Sequence, residues 1–193
     1  VGRFWPFIDL FRGSGARLQM SHLLFVGKEC WPSTEPMMEM MNDRIRNGGM
    51  DLWFDFYSFT QGATSVQILM PPGFYQHYPE TLHDPKWVEI LEKERSDRLS
   101  KMGWDLHEIQ VCSAGSEELS RWNGLFFDEI LDAEGITAMD VLLQMYKASN
   151  GTAQVYLYNE QPEENVPKLM THDRCLYMTD AWYMPGCHQN QCA

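Results

Sequence analysis

The sequence predicts an α/β protein built around a parallel sheet, and three observations carry that reading. Strand-like and helical runs alternate with short connections: "RLQM" at 17–20, then "TEPMMEMMNDRIR", then "MDLWFDFYSF". That is the strand–helix–strand order of a βαβ unit. "AQVYLYN", from Ala153, is apolar along its length, as a strand buried on both faces would be. Of four strand-like runs, at 17–21, 51–57, 153–158 and 175–179, three end on ionisable groups: His22, Asp55 and Asp180. In α/β barrels such strand ends face the active site.

Each element has local support. Residues 4–12 read as a short helix stopped by Gly13 and Gly15. The next helix has Ser33 or Thr34 as N-cap, Glu35 and Pro36 in its first turn, and Gly48-Gly49 as its stop. Its Met37, Met38, Met41 and Ile45 recur at helical spacing and form a core face. The Gly- and Pro-rich stretch at 59–83 reads as a long loop with one short element. "DPKWVEILEKERSDRLSKMG" is a helix capped by Asp84, with Pro85 in its first position and Gly103 at its stop. "LHEIQVCSA" is a strand, and "LFFDEILDAEG" and "TAMDVLLQMYKASNG" are amphipathic helices, the second capped by Thr137 and ended by Asn150-Gly151. "EENVPKLMTH" is a helix shortened by Pro167, and "RCLYMTDAW" is the last strand.

Composition narrows the function. The chain has 193 residues and is 44% hydrophobic, enough for one domain with a core. Its net charge of −12 repels phosphate backbones and argues against nucleic acid as a partner. No apolar run approaches the roughly 20 residues that span a bilayer, so no membrane partner is expected. The N-terminal "VGRFWPFIDLF" lacks a cleavable signal pattern. Five cysteines without CxxC spacing fit reduced thiols and a cytoplasmic protein. Cys187 and Cys192 are the one close pair, open to bridging or metal.

Among single residues, Asp55 inside a hydrophobic strand requires a partner, and Asp180 after "CLYMT" raises the same requirement. His22 reads either as a core histidine bonded to a carbonyl or as a metal ligand. His172 reads as a helix-end residue. His77 and His83 are expected in exposed loops, and "SAGSEE" at 113–118 as a turn.

The order of motifs resembles the metal-dependent amidohydrolases of the N-acyl-D-amino-acid deacylase (D-aminoacylase) type. Ser21-His22 matches that family's Ser-His element. Asp55-Phe56-Tyr57-Ser58-Phe59 matches its Asp-hydrophobic-Tyr-Pro-Tyr, with Ser58 and Phe59 substituted. Gly62-Ala63-Thr64 and Leu69-Met70-Pro71 match the turn and its exit, and His172, Thr179 and Asp180 fall on the terminal His-Pro and Ser/Thr-Asp pattern, with Asp173 replacing Pro. Leu24 and Leu125 stand where the family has Lys, and the first-strand His-x-His is absent.

The resemblance implies a (β/α)8 TIM-like barrel of the amidohydrolase type, here about strands 5–8, with 1–193 a single partial barrel domain and 59–135 a loop- and helix-rich insertion. It implies zinc, with His22 as metal ligand and Asp180 as the carboxylate handling the proton of the attacking water. Asp55, Tyr57, Thr64 and His188 are implied at the substrate, an N-acyl-D-amino acid. A cyclic amide, as for dihydroorotase or hydantoinase relatives, is the alternative substrate class; the long loop after Asp55 and the stretch at 84–135 favour the deacylase type. A non-catalytic scaffold that has lost its metal site is the alternative from another class. The chain is expected to be a piece of a barrel that pairs with the missing half or forms a homo-oligomer, because half a barrel leaves two open sheet edges.

Overall fold

A computed structural model describes residues 4–180. In chain order the elements are α1 (Trp5–Asp9), β1 (Arg17–Met20), α2 (Thr34–Arg46), β2 (Asp51–Phe56), β3 (Gly62–Ser65), α3 (Pro72–Gln76) and α4 (Lys86–Met102). They continue as β4 (Ile109–Ser113), α5 (Phe127–Glu134), α6 (Ala138–Ser149), β5 (Gln154–Leu157), α7 (Asn165–Met170) and β6 (Cys175–Tyr177). The chain divides into two compact units, residues 4–60 with Glu160–Asp180, and Gln61–Asn159.

The first unit is a three-stranded parallel sheet in the order β1-β2-β6. Arg17 pairs with Asp51 and Met20 with Phe54, so the strand–helix–strand expectation holds. β2 in turn pairs with β6, Asp55 opposite Leu176. One face of the sheet is apolar: Met20, Leu52, Phe54 and Phe56 are buried in one cluster with Trp5, Ile8, Met37, Met38, Met41 and Leu169 of the helices. The methionine stripe of α2 is therefore a core face, as its spacing predicts. Arg44 ties α1 to α2, bonding both oxygens of Asp9 at 2.9 and 2.7 Å while its guanidinium lies 4.3 Å above the Trp5 ring. The other sheet face carries Arg17, Gln19, Trp53 and Leu176, and all but Trp53 are exposed.

The expected side-chain cap of α2 is not made. A single tight turn at Trp31–Ser33 runs straight into the helix, and the Thr34 hydroxyl donates back to the Trp31 carbonyl instead. α4 begins one residue later than expected, with Pro85 at the N-cap position and the Lys86 N–H donating to Asp84 Oδ1 at 3.1 Å; α6 and the end of α4 follow the sequence. The Thr137 hydroxyl accepts from Asp140 N–H at the start of α6, and Gly103 closes α4 in the left-handed conformation.

The second unit holds an antiparallel sheet in the order β3-β5-β4. Its core includes the fully buried Val66, Leu91, Ile109, Val111, Ile130, Met139 and Val155. This corrects the expectation that 153–158 is a barrel strand alongside 51–57 and 175–179. β5 is buried at all four positions because it is the central strand of its own sheet. An apolar run reports burial on both faces and says nothing of strand direction. The stretch read as a long loop at 59–83 also contains β3 and α3.

Candidate active site

β1 and β6 flank β2, and all three strands point the same way, so the residues that follow each strand collect at one edge of the sheet. His22 follows β1 and Asp180 follows β6. The structure brings them together, with His22 Nε2 3.1 Å from Asp180 Oδ1 and both side chains about half exposed.

The backbone at both residues is unusual. Among the described residues, four non-glycine residues have positive φ: His22 at 57°, Asp180 at 49°, Asn150 and Asn159. Asn, Asp and His enter the left-handed region more readily than other side chains, for which it costs roughly 1–2 kcal/mol. Strain of this kind persists where surrounding contacts over-determine it.

At His22 those contacts come from Asp55. Its Oδ1 accepts the His22 N–H at 2.5 Å, its Oδ2 accepts Gln19 Nε2 at 2.6 Å, and its main-chain oxygen accepts the Leu23 N–H at 3.0 Å. Leu24 N–H closes a tight turn onto the His22 carbonyl at 2.8 Å. Hydrogen bonds to an ionised group contribute about 1.5–3 kcal/mol each, enough to offset the left-handed turn. The buried Asp55 thus has the partners its setting demands.

Tyr57, one residue beyond β2, donates its hydroxyl to Glu160 Oε2 at 2.5 Å, and both side chains are buried. Burial, with the adjacent Glu160 carboxylate, pushes the Tyr57 hydroxyl far above the ordinary tyrosine range. Burial likewise pushes the Glu160 carboxyl up, against the bond from Tyr57. The charge of Asp180 adds to the upward push on both, which ties this pair to the His22–Asp180 edge. Sequence reading missed Glu160. The signal was present: Glu160 follows the "QVYLYN" run just as His22 and Asp180 follow theirs.

The remaining expected residues lie elsewhere. Thr64 stands on β3 in the second unit, and His188 lies outside the described residues. His172 follows Thr171, the C-cap of α7, its Nδ1 accepting the Arg174 N–H at 3.1 Å and its Nε2 facing Asn42 Oδ1 at 3.1 Å. Asp173 Oδ1 lies 3.3 Å from the same Nδ1, and burial holds the His172 pKa below the usual histidine value.

His22 and Asp180 suit a metal chemically, since imidazole nitrogen and carboxylate oxygen are both zinc donors. Two donors each about 2 Å from one tetrahedral ion stand a little over 3 Å apart, which matches the observed spacing. The pair supplies two ligands, or one ligand and an adjacent base. Among the described residues no third His, Cys, Asp or Glu joins them; the one such trio is Asp105, His107 and Glu108 in the second unit. That trio has a local explanation, because Asp105 and Glu108 form a reciprocal capping box before β4 and Glu108 also accepts Asn159 Nδ2 at 2.7 Å.

No family model matches the chain, and no curated protein matches its sequence. Solved structures do match. An N-acyl-D-glutamate deacylase from Bordetella bronchiseptica, solved with zinc and a phosphonate mimic of the tetrahedral intermediate, aligns over 90% of this chain and 28% of that chain, with a TM-score of 0.58 and 15% identity. A D-aminoacylase described as defining a subset of the amidohydrolases aligns over 89% and 27%, with a TM-score of 0.53 and 13% identity. This chain has the fold of part of a D-aminoacylase. A further D-aminoacylase structure, concerned with a binuclear metal centre, gives a TM-score of 0.54 at 13% identity. The chain spans under a third of the length of these D-aminoacylase-like structures. Among its described residues no helix is long and apolar enough to cross a membrane.

Proposed function

We propose that this chain carries part of the active site of a metal-dependent hydrolase that cleaves the amide bond of an N-acyl-D-amino acid. The observation that carries the reading is the meeting of His22 and Asp180 at 3.1 Å, at the shared edge of three parallel strands. A bound zinc would polarise the scissile carbonyl and acidify its water. His22 is the ligand this chain contributes, held in a fixed turn by Asp55. Asp180 accepts the proton of the attacking water and returns it to the leaving amine, the work of a general base that then acts as an acid. Tyr57 and His188 are assigned to the substrate.

The parallel sheet of β1, β2 and β6, with one face packed on helices and the other open, supports three strands of a barrel wall within the expected 5–8 of eight, because parallel sheets are covered on both faces. The span Gln61–Asn159 is then an insertion within that wall, and the missing ligands belong to the other half of the barrel or to a second copy. The five cysteines, none in CxxC spacing, favour a reducing, cytoplasmic setting. A second reading is a scaffold without a complete metal site, since catalytic zinc takes three protein ligands and His22 and Asp180 supply two among the described residues.

Zinc per chain, measured after loading and dialysis, separates the two. Near-stoichiometric zinc that is lost in His22→Ala, together with hydrolysis of an N-acyl-D-amino acid panel by the reconstituted protein, supports the hydrolase. Absence of zinc from both proteins supports the scaffold.

A further inference from the structure

We infer that Asp55 is a positioning residue: it holds the His22 turn and so sets the alignment of the imidazole on Asp180, with no contact to substrate of its own. The inference rests on the reading of His22 and Asp180 as the reactive pair. Three observations carry it. Asp55 is buried, at 9% exposure, so its carboxylate is not presented to a ligand. Both carboxylate oxygens are already engaged from the β1 side, one by His22 N–H and one by Gln19 Nε2. Its carbonyl takes the next amide, Leu23 N–H, so a single residue of the central strand holds two successive amides of the turn in which His22 has φ 57°.

The partners also fix the register. Gln19 and Asp55 stand on neighbouring strands, where Gln19 pairs with Trp53 and Met20 with Phe54. Asp55 is therefore the first β2 residue beyond the paired stretch of β1, opposite the point where β1 leaves the sheet. From there its carboxylate reaches the departing chain. Glutamine at 19 supplies the second donor without a charge that would draw the carboxylate away from His22.

The test is made on the metal-free protein by the ring-nitrogen NMR shifts of His22, with Asp180→Asn introduced into the wild type, Asp55→Leu and Asp55→Asn backgrounds. Leucine keeps the buried volume and removes the acceptors; asparagine keeps one acceptor oxygen for His22 N–H. The expected result is that Asp180→Asn shifts the His22 ring in the wild type and in Asp55→Asn, and no longer does so in Asp55→Leu, while the exposed His77 ring is unmoved throughout. A His22 shift that survives in Asp55→Leu overturns the proposal. So does an Asp55→Leu chain that fails to fold, which would give the carboxylate to fold stability instead, and so does loss of the shift in Asp55→Asn. Absence of the shift in the wild type removes the His22–Asp180 contact, and both proposals fall with it. Zinc binding and hydrolysis play no part in this readout, so failure of the proposed activity alone leaves it standing.

Discussion

His22 Nε2 lies 3.1 Å from Asp180 Oδ1, although one residue follows the first strand and the other the last. The contact exists because β1 and β6 both pair with β2 in the parallel sense, so their exits share an edge. Both residues hold a left-handed backbone, and about half of each side chain is open to solvent.

Asp180→Asn keeps the size of the side chain and removes its basicity. Under the proposed hydrolysis, the expected loss is about 10²-fold or more in kcat, the usual contribution of a positioned general base. Zinc content should be affected far less than by His22→Ala. Equal loss of zinc in both variants would make Asp180 a ligand first and a base second.

The β1–α2–β2 unit was legible because each part has a local cause: the methionine stripe, the Gly48-Gly49 stop and the apolar strand. The joining of His22 to Asp180 was legible only through motif order, since no local pattern encodes which strand ends meet. The direction of β5 was not legible, because its four buried residues fit a central strand of either sense. β3 and α3 were hidden in a Gly- and Pro-rich stretch whose composition resembles a loop. Glu160 escaped because its partner, Tyr57, lies across the whole second unit in sequence.

Phe54 is fully buried at the centre of β2, between Met20 and Cys175 in the sheet register, with the His172 ring 5.5 Å away. Phe54→Ala should destabilise by about 3–5 kcal/mol, through lost transfer energy and the cavity left behind. Urea unfolding measures it. A change under about 1 kcal/mol would mean that the helices collapse onto the sheet without it.

Thr137 caps α6, accepting from Asp140 N–H at 3.1 Å while the Asp140 carboxylate accepts the Thr137 N–H at 3.0 Å. Thr137→Ala should cost about 1 kcal/mol, and the reciprocal Asp140→Ala a similar amount. The double variant should cost less than the sum, because both sit in one capping box.

His172 binds its proton more weakly when folded than when unfolded, because burial disfavours the imidazolium. The unfolded chain therefore holds more protons as pH drops below the free value of 6.5. Stability from this residue is complete above that pH and declines as pH falls toward the folded value. Asp173 opposes the shift, while Arg46 and Arg174 add to it. His172→Gln should flatten the denaturation midpoint between pH 6.5 and 5, which urea titrations at several pH values would show; an unchanged slope would place the acid sensitivity elsewhere.

Glu160 has the opposite sign. Burial raises its folded pKa above the ordinary 4.5, so the folded chain holds the extra proton. Its contribution is complete below pH 4.5 and is lost as pH rises through the folded value. Glu160→Gln removes the charge and retains an oxygen to accept the Tyr57 hydroxyl. The variant should gain stability relative to the wild type as pH rises from 4.5 to 7, with Tyr57→Phe showing no such gain. Because Asp180 pushes in the same direction, Asp180→Asn should reduce the Glu160→Gln gain. If the gain is the same with and without Asp180, the buried pair and the His22–Asp180 edge are electrostatically separate, and Glu160 serves the fold alone.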